Sequence, residues 1–255
     1  MNKAKVAILS SVKPGIFAGL AEDERFTFEE RQKALMNELD VWKSTIELDY
    51  LKQNTIFEVV NVLEGLPAKG NYDGYILGGS PSMVTERAPW MLDLEKFIHE
   101  EINAGKSTIG FCFGHQILAS AFGGKVENAP SRKIGKGNVF LNTQGQGDKL
   151  FSQMDKNFES IWSHKQYVSN PGEAEVLGNN KHTPNQIIRL GENAWGCQFH
   201  SEFSKEFTSF LVKLMKESIS GEGQNTDQIL QELSQMQGNE SSKIITLFIQ
   251  NILKS

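Results

Sequence analysis

The chain has 255 residues, enough for one large domain or a domain with an appendage, and either can bury a sizeable core. Its 26 basic and 31 acidic residues leave a net charge of −5, opposite in sign to the usual footprint of nucleic-acid binding, so no nucleic-acid partner is expected. Residues 107–124 form an uncharged run near the length of a membrane span, but four glycines, two serines, Thr108, His115 and Gln116 interrupt it, which excludes a lipid-spanning helix.

A strand-like segment begins at residue 6, leaving no room before it for a secretory signal, so a cytoplasmic location is expected. In a reducing compartment Cys112 and Cys197 are not expected to pair, and the sequon-like Asn239-Glu240-Ser241 carries no glycan. Strand-like runs at 6–9, 57–62, 75–77 and 108–111 alternate with helical patterns. That alternation predicts an α/β fold of three layers, a mostly parallel open sheet with helices on both faces. Between the first two strands, residues 13–55 read as a helical insert over the sheet edge, with Thr27-Phe28-Glu29-Glu30 as a capping box.

Further along, residues 90–103 form a helix ended by Gly105, and 108–111 a buried strand followed by a tight turn at Cys112 and a helix stopped by Gly123-Gly124. Later strands are expected at 138–141, 160–162, 186–190 and 195–199, and a helix after the N-cap Ser204. The core fold is expected to span residues 1–218. Beyond it, 219–255 reads as a helical extension with apolar residues at helical spacing from Ile229 to Met236 and from Ile244 to Ile252. Such helices are expected to dock on the body or on another subunit, as in a homo-oligomer.

Gly110-Phe111-Cys112-Phe113-Gly114 has the form of a nucleophile elbow, in which small flanking residues permit a strained strand-to-helix turn that lifts one side chain clear. A thiol at a helix N-terminus beside an imidazolium is more acidic than the ordinary thiol. Taken alone, Cys112 reads equally well as a small packing residue among glycines. His200 ends a later strand, and Glu202, two residues on, projects to the same side of an extended chain and can orient the imidazole. Cysteine, histidine and an orienting acid make a nucleophilic triad. Cys197-x-x-His200 lacks the further ligands a zinc site needs, so no metal is expected. The order nucleophile, histidine, acid is not that of an α/β-hydrolase.

Four ordered motifs over residues 6–215 resemble the class I (triad) glutamine amidotransferases, in particular stand-alone members similar to the amidotransferase half of GMP synthetase. Gly110 to Gln116 resembles the G-x-C-x-G-x-Q elbow and Leu77 to Met83 a glycine-rich oxyanion strand end. Ser163-His164-Lys165-Gln166 with Val168 resembles S-H-x-[DQ]-x-V, and Gln198 to Glu202 resembles Q-F-H-P-E. The resemblance implies a flavodoxin-like amidotransferase fold, with Cys112 as nucleophile, His200 as base and acid, and Glu202 as its orienter. It further implies an oxyanion hole from the N–H groups of Gly79 and Phe113, and a substrate grip from Gln116 and the backbone of Ser163, His164 and Lys165.

The implied activity is hydrolysis of the side-chain amide of glutamine through a γ-glutamyl thioester, without metal or organic cofactor. The chain has no P-loop and no S-G-G-x-D-S segment, so any synthetase that accepts the ammonia is a separate polypeptide. Two alternatives are a γ-glutamyl peptidase acting on compounds such as glutathione conjugates, and a non-catalytic regulatory module. Two departures from the pattern bear on substrate preference and activity: Ser201 replaces the usual proline of Q-F-H-P-E, a change expected to loosen that turn, and Lys133 replaces a glutamate common before I-G.

Overall fold

A computed structural model describes residues 3–254; the first two residues of the expected core unit and the last residue of the extension lie outside that range. Nine strands form one sheet: β1 Ala4–Ser10, β2 Thr55–Asn61, β3 Gly74–Leu77, β4 Ser107–Phe111, β5 Lys125–Leu141, β6 Asn157–Asn170, β7 Glu175–Asn179, β8 Ile187–Leu190 and β9 Ala194–Cys197. Among the described residues ten α-helices accompany them: α1 Phe28–Leu35, α2 Glu38–Ser44, α3 Asp49–Asn54, α4 Pro89–Asn103, α5 Phe113–Ala121, α6 Thr143–Gly147, α7 Lys205–Leu214, α8 Lys216–Gly221, α9 Thr226–Ser234 and α10 Lys243–Lys254. No helix among the described residues is long and apolar enough to cross a membrane.

The expected open α/β sheet is present, and it is mixed. Strands run in the order β2-β1-β3-β4-β9-β8-β7-β5-β6. The pairs from β2 to β9 are parallel and those from β9 to β6 antiparallel. Connection length explains the division. The parallel strands are joined by long crossovers, whereas three residues separate β8 from β9, which suffices only for a hairpin.

Strand periodicity sorts the core into two layers. Val6 and Ile8 enter one cluster with Trp42, Phe111, Trp195 and Phe248, while Ala7 and Leu9 enter the other with Tyr75, Leu77, Phe97 and Ile117. Successive side chains on a strand point to opposite faces, so a doubly covered strand must be apolar throughout. The polar-rich β5 and β6 were legible only at 138–141 and 160–162. They extend far beyond those limits because one face stays half-exposed, as does most of β7, which hydrophobicity alone did not reveal. Within β5, pairing to β6 is irregular between Asn128 and Lys133, where Pro130 has no N–H to give.

Residues 13–55 hold a 3-10 turn, Ala18–Leu20, and three short α-helices. Thr27 and Glu30 form the reciprocal capping box at the start of α1, and Lys213 of α7 pairs with Glu30 at 2.8 Å. Phe17 and Phe26 meet Phe210 with ring centroids 5.2 and 4.4 Å apart, so part of this segment packs on α7 as well as near the sheet edge. α2 lays Trp42 on Phe111, ring centroids 5.6 Å apart.

The C-terminal helices dock on the body. Ile244, Ile245, Phe248, Ile249 and Ile252 of α10 are buried in the same cluster as β1, β4 and β9. A Cβ on Gly74 would lie 2.5 Å from Ile252 Cδ1, so α10 packs closely over β3 at this glycine. Ile229 and Leu233 of α9 pack with Val212, Ile134 and Ile161.

Candidate functional site

β4 ends at Phe111 and α5 begins at Phe113, and the junction is Cys112, with φ 51° and ψ −101°. A non-glycine residue at positive φ is strained and persists only where its surroundings hold it. Here they do. The Cys112 N–H donates to the Cys197 carbonyl at 2.8 Å and the Gly114 N–H to the Gly78 carbonyl at 3.2 Å. The flanking glycines are demanded by close approach: a Cβ on Gly110 would lie 2.5 Å from the Gly114 carbonyl carbon, and one on Gly114 would lie 2.4 Å from the Leu77 oxygen. As the first residue of α5, Phe113 carries an N–H that no carbonyl within the helix can take.

Three distant stretches meet at this turn. His200 Nδ1 and Glu202 Oε1 are 2.7 Å apart, with both side chains buried, and Cys112 lies near enough to the imidazole to act on its charge. A Cβ on Gly79 would come within 2.8 Å of His200 Cε1, so the end of β3 lies against the imidazole. The ring of Phe203 stacks face to face on the imidazole, centroids 3.9 Å apart and planes 8° from parallel. The His200 N–H donates to the Ile161 carbonyl at 2.8 Å, joining the end of β9 to β6.

Electrostatics here favour a charged imidazole. Burial alone would lower the pKa of His200, but the Glu202 carboxylate and Cys112 outweigh it and push it up to about 10. A histidine pKa raised on folding adds stability that is complete below its unfolded value, near 6.5, and is lost as pH climbs through the folded value. Glu202→Gln removes that contribution. The melting-temperature gap between the wild type and Glu202→Gln is therefore expected to be widest near pH 6 and to narrow toward pH 10. Thermal unfolding at intervals across that range checks it, and a gap that widens with pH would reject the assignment.

The remaining expected residues divide. Ser163 is here by its main chain: its carbonyl oxygen lies 3.6 Å from Cys112 Sγ and 3.4 Å from His200 Nε2. Gln116 is buried, its Nε2 donating to the Gln166 carbonyl at 2.9 Å and Gln198 Oε1 at 3.2 Å. His164 turns inward, with Nδ1 3.0 Å from the Gln166 carbonyl, and burial takes its pKa down to about 4. Lys165 points away to Glu222, 3.0 Å distant. Of the two departures, Ser201 is buried and its Oγ has no hydrogen-bond partner among the described residues, while Lys133 pairs with His164 across β5 and β6. No group of three or more metal-ligating side chains occurs among the described residues, and both cysteines are free.

Two nearby residues were not legible as such. Glu38, opening α2, sits where its Oε1 would be 3.6 Å from a Cβ on Gly78 and accepts from the Trp42 indole at 3.4 Å. Its pKa is raised chiefly by burial, and also by the Glu202 charge. Nothing in the surface-like spacing of α2 announced that approach. Phe203 directly follows the acid, and an aromatic at that place was a signal available in the sequence.

An α/β protein with a strained cysteine at the carboxyl edge of a central parallel strand, beside a hydrogen-bonded histidine–glutamate pair, is of a class that comparison with known proteins narrows. The sequence model described as glutamine amidotransferase class-I matches residues 35–211, and the chain belongs to that family. The GMP synthase [glutamine-hydrolyzing] of Clostridium kluyveri is 36% identical over 149 residues, which are 57% of this chain and 27% of that protein. Its counterpart in Porphyromonas gingivalis is 32% identical over 142 residues, 54% of this chain and 27% of that one. The match thus spans about a quarter of the length of these curated relatives. Among solved structures, a glutamine amidotransferase from Thermotoga maritima superposes with TM-score 0.70 at 16% identity, covering 100% of both chains. A glutamine amido transferase from Methylobacillus flagellatus gives 0.67 at 20% identity, covering 100% of this chain and 95% of that one. At such identities the likeness is one of fold, and the fold is the one the motifs implied.

Proposed function

We propose that this chain is a cysteine-dependent amidase that hydrolyses the side-chain amide of glutamine and releases ammonia. The observation that carries the reading is the strained Cys112, which shares the Ser163 carbonyl as neighbour with the Nε2 of an imidazole whose Nδ1 is held at 2.7 Å by Glu202. The name glutamine-hydrolyzing GMP synthase, borne by relatives that match over part of their length, points to the same substrate.

In this reading the Cys112 sulfur attacks the amide carbon, and the N–H groups of Gly79 and Phe113 receive the developing oxyanion. Losing one such donor typically costs about 3–4 kcal/mol of barrier. The proton on His200 Nε2 passes to the leaving nitrogen as the C–N bond breaks, giving ammonia and a γ-glutamyl thioester. Neutral His200 then takes a proton from water, the hydroxide adds to the thioester carbon, and glutamate departs as the C–S bond breaks.

The Ser163 carbonyl, close to both Sγ and Nε2, suits the N–H of an amide whose nitrogen must pass between them. Gln116 has both amide hydrogens engaged, so its offering to the amino-acid end of a substrate is its amide oxygen. For His164 and Lys165, whose side chains bond elsewhere, the backbone is the part proposed to touch substrate. The ammonia would pass to a synthetase.

A substrate comparison tests the reading. Purified protein is expected to release ammonia from glutamine with a kcat/KM at least about tenfold above that for cleavage of γ-glutamylglycine, a gap of about 1.4 kcal/mol in transition-state binding. The reverse preference would make it a γ-glutamyl peptidase, and turnover of neither would reject the amidase.

A further inference from the structure

The segment that carries His200 and Glu202 is a bend, residues 200–203, and it is not held by the family-matching part of the chain alone. Asn239 lies between α9 and α10, outside residues 35–211. Its side-chain Nδ2 donates to the His200 carbonyl at 2.7 Å and to the Phe203 carbonyl at 3.0 Å. One amide therefore staples both ends of the bend. The amide is itself oriented, because the hydroxyl of fully buried Ser241 donates to Asn239 Oδ1 at 2.7 Å. That fixes which end of the side chain is donor and which acceptor. The Asn-x-Ser spacing first seen as a sequon is here a hydrogen-bonded pair.

What the staple controls follows from the geometry around it. The His200 N–H is already committed to the Ile161 carbonyl at 2.8 Å, so with Asn239 on the carbonyl both main-chain polar groups of this residue are fixed. Phe203, whose carbonyl takes the second bond, is the ring stacked on the imidazole. Glu202 between them holds Nδ1. Ser201 at the second place of the bend leaves φ free where a proline would have locked it, and its own hydroxyl makes no bond within the described residues. The order of the bend must come from outside it. A second tie nearby, Lys205 Nζ to the Met236 carbonyl at 2.9 Å, holds the start of α7 to the same C-terminal segment.

We infer that Asn239 is a positioning residue for the Cys112–His200 pair, through which the C-terminal helices set the imidazole at its working distance from the sulfur. This rests on the amidase reading for its kinetic consequences, but not for its chemical one, since the rate at which Cys112 is alkylated reports the imidazole without any substrate.

Asn239→Asp tests it, because aspartate has the same size and can still accept from Ser241 but cannot donate to either carbonyl. The expected result is a kcat for glutamine about tenfold lower with KM within about twofold, as displacement of a catalytic group by a fraction of an ångström produces. Alkylation of Cys112 by iodoacetamide at pH 7 is expected to slow by a similar factor. Lys243→Ala, which removes one side-chain bond to the Gln153 carbonyl from the same segment, is expected to leave both rates unchanged. Rates in Asn239→Asp equal to the wild type, or lowered equally in Lys243→Ala, would overturn the inference. If the wild type releases no ammonia the amidase reading fails, and alkylation then decides alone: slowed in Asn239→Asp it supports the staple, unchanged it refutes it. Should Asn239→Asp not fold, Ser241→Ala, which frees the amide to rotate, is judged by the same two rates.

Discussion

Cys112→Ser is expected to lower ammonia release from glutamine by about 10⁴-fold or more while leaving the protein folded, because it removes the nucleophile and little else. The change replaces sulfur by oxygen at a residue only 7% exposed, so the packing around it barely alters. A hydroxyl at that place surrenders its proton far less readily than a thiol, and the imidazole beside it, held in its charged form by Glu202, is a poor base to take it. The oxyanion donors and substrate contacts survive, so the loss should fall in kcat and not in KM. Steady-state ammonia measurement with enough protein to see residual turnover checks this. Activity within tenfold of the wild type would remove Cys112 from the mechanism and require another nucleophile.

Gly114→Ala should unfold the protein at markedly lower temperature and silence it even where it remains folded. The added Cβ would lie 2.4 Å from the Leu77 oxygen and 2.6 Å from Leu77 Cβ, and Leu77 is a buried residue of β3 paired on both sides. Neither atom can swing away as a flexible side-chain tip would. Overpacking a rigid core costs typically 1–3 kcal/mol and more where backbone must move, and a value of about 3 kcal/mol lowers the melting temperature by roughly 6–12 °C in a chain of this size. Because the clash pushes the start of α5 away from β3, it also parts the Phe113 N–H from the Gly79 N–H. Gly147→Ala, which meets nothing within 4 Å, is the matched substitution and should melt within about 1 °C of the wild type. Equal melting of the two variants would show that the elbow glycine is dispensable.

Much of the site was legible because its signals are local. The strained turn at Cys112 requires small residues on both sides, and that requirement is written within five positions. His200 and Glu202 stand two residues apart, and the capping box of Thr27 and Glu30 is satisfied within a single turn. The buried parallel strands announced themselves by unbroken apolar runs, since both of their faces are covered.

Other features had no such signature. β5 and β6 are half-exposed and polar, so hydrophobicity marked only short pieces of them. The backbone of Lys165 was expected at the substrate by its place in a motif, and nothing nearby in the chain told where its side chain goes, to Glu222, a partner 57 residues away. The approach of Glu38 to Gly78, the Ser163 carbonyl between sulfur and imidazole, and the reach of Asn239 to His200 all join segments far apart in the chain.

By itself the sequence determined the family and the alternating α/β order and singled out Cys112, His200 and Glu202 as candidates, because short-range sterics and side-chain periodicity act within a few residues of their cause. The tertiary structure alone decided which strands run antiparallel, how the C-terminal helices enter the core and what braces the imidazole. Those depend on which distant hydrogen-bonding groups and apolar faces come together once the chain is packed, a condition no local pattern encodes.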